Sequence, residues 1–143
     1  MIATFREEYF FLSNFYPCLI EFEGIVYRNA EAAFQAQKSI KEHTKKKFVG
    51  LTAREAKYLG KMIKLRSDWE EVKQQYMYQI VLAKFSQNPD LANKLINTYP
   101  EGLCEHNTWH DTYWGVCNGV GENHLGKILE KVRKELMDLK EDF

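Results

Sequence analysis

The 143-residue sequence contains no apolar run approaching the length of a membrane span, so a membrane-crossing helix is not expected. Arg6, Glu7 and Glu8 come before any apolar stretch develops, a pattern unlike a secretory signal. Only three cysteines occur, Cys18, Cys104 and Cys117, an odd number with no C-x-x-C pair. That argues against a disulfide framework and for a reducing, cytoplasmic setting. Neither charge sign dominates: 20 Lys and Arg balance 20 Asp and Glu. No global basic footprint for nucleic acid or anionic membrane follows, although a local patch stays open. No internal repeat or low-complexity linker interrupts the chain, whose length fits one domain over residues 1–143. With 45% apolar and 28% charged residues the composition is that of an ordinary globular protein.

Local patterns give the elements. Tyr9 to Leu12 is a short aromatic run closed by the turn-like Ser13-Asn14. From Cys18 to Tyr27, Ile20, Phe22, Ile25 and Val26 surround Glu23-Gly24, which predicts a β-hairpin whose glycine takes a positive φ. Asn29 is a good N-cap for a helix through Lys38. Thr52 with Glu55, and Ser67 with Glu70, read as capping boxes; Gly60 stops the first helix. The second helix sets Trp69, Val72, Tyr76, Ile80 and Ala83 on one stripe. Asn88-Pro89 restarts a helix and Pro100 closes it. Residues 102–107 and 113–116 read as strand or extended loop. A final helix from about Asn123 to Leu139 carries Leu125, Ile128, Leu129, Val132, Leu136 and Leu139 on one face. The expected fold class is α+β, a mainly α-helical single domain with a small antiparallel β-sheet.

Three clusters could carry chemistry. Glu31, Gln35 and Lys38 recur at i, i+4 and i+7 and share a helical face beside Phe34. Glu31 lies in the first turn, where the helix dipole favours an anion, and an anion suits a transition state cationic at an anomeric carbon. Composition alone makes this a solvated surface stripe. The second cluster is Lys61, Lys64 and Arg66 ahead of a helix start, with Trp69 free to be either a stacking partner or a core anchor. The third runs from Glu105 to Gly126, dense in aromatics, carboxylates and glycines, like a site wall. Within it, residues 121–127 have the skeleton of a Walker A loop. Ile128 stands where the magnesium-binding hydroxyl is required, so that reading is rejected. Cys104, His106, His110 and Cys117 suit zinc in type but match no compact zinc module.

Taken together, these pieces resemble the NADAR or YbiA-like N-glycosidases. The resemblance rests on Ser13-Asn14-Phe15, Asn29 through Lys38, Leu65-Arg66-Ser67-Asp68-Trp69, Lys84-Phe85, Leu91, Glu105, Asp111 through Gly115, and Gly119 through Gly126. They occur in family order across almost the whole chain. The resemblance implies a YbiA-like fold and metal-independent hydrolysis of an N-glycosidic bond without a cofactor. The implied substrates are phosphorylated riboflavin-biosynthesis intermediates or ADP-ribose on guanine in nucleic acid. It assigns Glu31 and Asp111 as catalytic, the two expected to meet in one pocket with Trp69. For substrate binding it assigns Ser13, Asn14, Phe15, Gln35, Lys38, Lys61, Arg66, Trp69, Trp114, Gly121 and Asn123. Lys61 stands where the family has an arginine, and the stretch from Glu105 to Asp111 is one residue longer than in the family member compared. The rivals are a non-catalytic ADP-ribose or nucleotide-binding module and a helical interaction domain. Oligomeric state is not legible.

Overall fold

The computed structural model describes residues 1–141, and its internal contacts divide into two compact units. One comprises residues 14–88, the other residues 1–13 together with the chain from Pro89 onward.

In the unit of residues 14–88, the expected hairpin forms from β1 (Pro17–Phe22) and β2 (Ile25–Asn29), antiparallel, with Ile20 opposite Tyr27 and Phe22 opposite Ile25. Glu23 and Gly24 join them at φ +50° and +82°, the two positive values that a tight hairpin turn needs. Ile20, Phe22, Ile25 and Tyr27 face inward in the alternation a half-buried sheet requires. Asn29 ends β2 and caps α1 (Ala30–Ala36), accepting the Ala32 amide at 2.7 Å. Every residue of α1 is buried. Its small side chains Ala30, Ala32, Ala33 and Ala36 let β1, β2, α3 (Ala53–Gly60) and α4 (Trp69–Gln87) close around it. The short α2 (Glu42–Lys46) precedes α3, whose Thr52–Glu55 capping box forms as expected.

The Ser67–Glu70 box does not form. Asp68 is the N-cap of α4 and its side chain caps nothing, because both carboxylate oxygens are held by Arg66 at 2.6 and 3.2 Å. The inward stripe of α4 is Trp69, Met77, Ile80, Val81, Lys84 and Phe85, with Val72, Tyr76 and Ala83 half-buried. The wholly buried Lys84 has its ammonium 5.7 Å from the centre of the Tyr16 ring. Burial pushes its pKa down to about 8, with Cys18 pulling the other way.

The other unit opens with a short 3-10 helix (Glu7–Leu12) and contains α5 (Pro89–Ile96) packed on α6 (His124–Glu141). The expected stripe on α6 holds at Leu125, Leu129 and Val132, while Leu139, near the end of the helix, is exposed. The segment 102–107 makes isolated bridges, Ile2 with Leu103 and His106 with Val116, rather than a strand, and 113–115 is a bend that Asp111 holds, not a strand. Arg133 is buried on α6 and satisfied by the Thr98 hydroxyl and the Glu101 carbonyl, at 2.9 and 2.7 Å.

Two stability predictions follow from this packing. A Cβ on Gly126 would lie 2.1 Å from the Leu103 carbonyl oxygen. Glycine to alanine within a helix ordinarily gains about 1 kcal/mol. Gly126→Ala is expected instead to lose about 1–3 kcal/mol in urea denaturation, the usual cost of overpacking. For Lys84, the folded pKa of about 8 lies below the ordinary 10.5, so the unfolded chain holds more protons between those pH values. Stability therefore rises with pH across that window, on the order of 2 kcal/mol between pH 7 and 10. Urea midpoints of Lys84→Met should lack this increment.

Candidate functional site

Asn14, Phe15, Gln35, Lys38, Lys61, Arg66 and Trp69, which the sequence groups with Glu31, belong with it to the unit of residues 14–88, and Asp111 belongs to the other unit. Glu31 occupies the first turn of α1 and is 9% exposed, so it is a buried carboxylate and not a solvated one. Its backbone amide donates to the Asn14 carbonyl at 3.0 Å, which fills one of the hydrogen-bond vacancies of a helix start. Asn14 is itself buried and donates through Nδ2 to the Met77 sulfur at 3.3 Å. Asn29, besides capping the helix, donates to the Leu51 carbonyl at 3.0 Å. The start of α1 is thus tied to the preceding segment and to the approach to α3.

One turn on, Gln35 Nε2 donates to Glu31 Oε2 at 3.4 Å, a long hydrogen bond. Gln35 Oε1 is buried without a hydrogen-bond partner and lies beside Gly60, where a Cβ would sit 1.9 Å from it. Gly60 was legible only as a helix stop; its other role, leaving space for the Gln35 amide, has no signature in a single sequence. The sequence places Lys38 on the same helix as Glu31 and Gln35, but α1 ends at Ala36 and Lys38 follows it in a turn. Burial pushes its pKa down, Glu31 opposes that, and Lys61 adds to it. A carboxylate and two ammonium groups therefore act on one another here, with Lys38 half-buried and Lys61 exposed.

Trp69 packs against Phe34 with ring centres 5.1 Å apart and nearly parallel to Tyr76 at 6.5 Å, and it is 6% exposed. Of its two sequence readings, this is the core anchor, placed behind the helix that carries Glu31. Arg66 is held by Asp68, by the Tyr76 hydroxyl at 3.1 Å and by the Gln37 carbonyl at 3.5 Å. Asp68 foremost, with Tyr76 and against the effect of burial, holds its pKa above the ordinary guanidinium value. The Arg66-x-Asp68 spacing was the available signal for this clamp. Phe15 is exposed, with the Lys57 ammonium 6.0 Å from its ring centre.

The remaining expected site residues belong to the other unit. Ser13 closes the 3-10 helix through its amide to the Phe10 carbonyl at 2.9 Å. Asp111 Oδ1 accepts the amides of Tyr113 and Trp114 at 3.1 and 2.9 Å, and Asn107 bonds both the amide and the carbonyl of Asp111. Asp111 thereby orders the turn that presents Trp114, which is half-buried and edge-on to Tyr113 at 4.8 Å. Asn123 uses both ends of its amide on backbone, accepting from Glu105 at 3.1 Å and donating to Leu103 at 2.9 Å. A Cβ at Gly121, whose φ is +156°, would lie 2.2 Å from the Gly115 carbonyl. In this loop the close approach that glycine permits is of backbone to backbone. Among the described residues no three His, Cys, Asp or Glu side chains are grouped as a metal site, and no helix is long and apolar enough to cross a membrane.

A capped, buried helix that carries Glu31 and Gln35, with Lys38 in the turn after it and an ordered Asp111-to-Gly126 loop further on, is an arrangement shared with one known class. The NADAR domain model matches residues 3–137, across both units, and the chain belongs to the NADAR family. It is similar to N-glycosidase YbiA of Escherichia coli, 35% identical over 136 residues that cover 91% of this chain and 83% of that protein. An N-glycosidase of Nostoc punctiforme is 37% identical over 134 residues, covering 89% of this chain and 85% of the relative. A riboflavin biosynthesis protein of Vibrio vulnificus is 36% identical over 138 residues; these cover 92% of this chain but only 37% of that longer protein. The NMR structure of Escherichia coli YbiA superimposes with a TM-score of 0.86 at 33% identity, covering 100% of this chain and 90% of that one. The mainly helical α+β architecture with its two-stranded sheet is therefore the YbiA-like fold.

The contact between Gly60 and Gln35 is open to a direct test. Gly60→Ala should destabilise by about 1–3 kcal/mol by displacing the Gln35 amide. In a Gln35→Ala background most of that cost should disappear, a coupling that a double-mutant cycle in urea measures. Equal costs in both backgrounds would place the strain elsewhere.

Proposed function

We propose that this protein is an N-glycosidase, a hydrolase that cleaves the bond between a ribose and a base or amine. The ribose would carry a phosphate, as in riboflavin-biosynthesis intermediates, or be part of ADP-ribose on guanine in nucleic acid. The observation that carries the reading is the buried carboxylate of Glu31 in the first turn of α1, beside Gln35 and the half-buried Lys38. Family membership supports it, through relatives named N-glycosidase that this chain covers over most of their length.

In the proposed reaction the C–N bond breaks with its electron pair leaving on the base, which takes up a proton. Positive charge develops on the anomeric carbon and ring oxygen, and water adds to that carbon. Glu31 stabilises the developing cation or takes the proton of the attacking water. A buried, oriented anion does this better than an exposed one, because little water screens it and little reorganisation is needed. Gln35 holds the carboxylate in place. Lys38 and Lys61 supply positive charge for a phosphate. Phe15 and Asn14 flank the entry to α1, with Ser13 as the neighbouring polar contact. Arg66 and Trp69 act as framework: one is clamped by Asp68, the other is buried behind Phe34. The second carboxylate of the proposal is Asp111. Its Oδ1 orders the Tyr113-Trp114 turn, so contact with a ribose hydroxyl or passage of a proton falls to Oδ2. Gly121 and Asn123 shape the loop that presents Trp114. None of these roles calls for a metal or an organic cofactor, and the free thiols of Cys18, Cys104 and Cys117 fit a reducing, cytoplasmic setting.

The decisive experiment offers the protein ADP-ribosylated guanine DNA and a phosphorylated ribosylaminouracil, with the released sugar identified by mass spectrometry. One of the two should be turned over. Glu31→Gln keeps the shape and removes the charge, so turnover should fall by about 10²–10⁴-fold with an unchanged melting temperature. Full turnover by that variant would remove Glu31 from the mechanism. Binding of either compound without release of base by the unmodified protein would instead establish a binding module.

A further inference from the structure

Asp111 lies at the end of a ring that the Asn107 side chain closes. Asn107 Oδ1 accepts the Asp111 amide at 3.1 Å, and Asn107 Nδ2 donates to the Asp111 carbonyl at 2.9 Å. Among the described residues the Asp111 backbone makes no other hydrogen bond. Thr108, Trp109 and His110, inside the ring, are exposed, so packing does little to set its shape. His110 nevertheless stands at φ +66°, a left-handed conformation that residues other than glycine keep only where their surroundings impose it. Asn107 is itself anchored: it is buried, and its backbone amide donates to the Val116 carbonyl at 2.8 Å. Gly115 stands beside it without a side chain, where a Cβ would lie 2.8 Å from Asn107 Nδ2.

Beyond the ring, Asp111 Oδ1 takes the amides of Tyr113 and Trp114. The carbonyls of Thr112, Tyr113, Trp114 and Gly115 accept the amides of Glu122, His124, Leu125 and Asn123 at 2.8, 3.1, 3.0 and 3.3 Å, which ties this turn to the start of α6. Asp111 is the joint between the tied turn and the exposed ring. With Oδ1 committed, the direction of Oδ2 follows from where the Asp111 backbone is held. Asn107 holds it.

We infer, on the reading of Asp111 as catalytic, that Asn107 is a positioning residue of the proposed reaction, fixing the Asp111 backbone so that Oδ2 meets the substrate ribose. Both ends of its amide are spent on Asp111, so it acts through that residue and does not touch substrate. Without the Asn107 amide, the Asp111 amide and carbonyl lose their partners, and nothing in the bonding holds His110 left-handed. A displacement of about 1 Å at a reacting group costs as much as about 10²-fold in rate. A merely structural role would lower the melting temperature and leave turnover below it unchanged.

The experiment compares Asn107→Ala, Asp111→Asn and the double variant, each below its melting temperature, on the substrate that the unmodified protein cleaves. Asp111→Asn keeps the oxygen that accepts the Tyr113 and Trp114 amides and removes the charge. Asn107→Ala should lower kcat about 10–100-fold with KM little changed. In the Asp111→Asn background the same change should cost less than about threefold, because the carboxylate it positions is gone. Hydrogen exchange of the Tyr113 and Trp114 amides, followed by NMR without substrate, should quicken about tenfold or more in Asn107→Ala. Asn107→Asp keeps the acceptor and loses only the donor, so it should fall between; it carries the comparison if the alanine variant does not fold. Unchanged exchange, full kcat in Asn107→Ala, or losses that multiply in the double variant would each overturn the assignment. Full turnover by Asp111→Asn would overturn it too, by removing Asp111 from the chemistry. No cleavage by the unmodified protein would be a failure of the N-glycosidase reading, and the exchange rates alone would then decide whether Asn107 holds Asp111.

Discussion

Placing a carboxylate inside a seven-residue helix that is buried along its whole length is the constraint on which the unit of residues 14–88 depends. A helix this short does not hold together on its own, since the cost of nucleation is not recovered in so few residues. It persists because Asn29 caps it, the Asn14 carbonyl receives the Glu31 amide, and strands and helices close on its alanines. A charge buried there must be matched by dipoles and opposite charge. The Gln35 amide and the nearby charge of Lys38 contribute to that match. Small side chains at positions 30, 32, 33 and 36 allow the close packing, and that packing removes the water which would otherwise dilute the field of the carboxylate.

Much of this was legible in the sequence. The hairpin turn, the Asn29 cap, the Thr52–Glu55 box and the proline-started α5 are all governed by short-range stereochemistry and appear where local rules put them. The Ser67–Glu70 box fails because α4 starts one residue later than expected, with Asp68 at its N-cap and the Asp68 carboxylate taken by Arg66, a choice that residue types alone do not decide. Burial of Glu31 was invisible to spacing, which reads any i, i+4, i+7 polar stripe as solvated. Only the resemblance to a family pointed the other way. The glycines from 115 to 126 were legible as permissive backbone. What they permit, backbone pressed on backbone at Gly115, Gly121 and Gly126, depends on long-range folding.

The same competition between roles runs through the charged residues. Arg66 and Arg133, which look like free cations in the sequence, are committed to framework through Asp68, Tyr76, Thr98 and the Glu101 carbonyl. Arginine suits such posts because its planar fork reaches several acceptors while its charge stays fixed. In the proposed function the cations that meet a phosphate are lysines, Lys38 and Lys61, while these arginines hold the framework.

The bond from Asn14 to the Met77 sulfur has a chemical consequence of its own. The thioether is the acceptor for a side chain whose own backbone carbonyl holds the start of the Glu31 helix. Met77 is 2% exposed, so peroxide reaches it only when the chain opens. Oxidation would then convert a slim apolar group into a bulkier, polar and chiral sulfoxide that no longer fits its place on α4. Damage at that sulfur would thus record past openings of the fold, and repair by a sulfoxide reductase would be needed before the helix start could re-form.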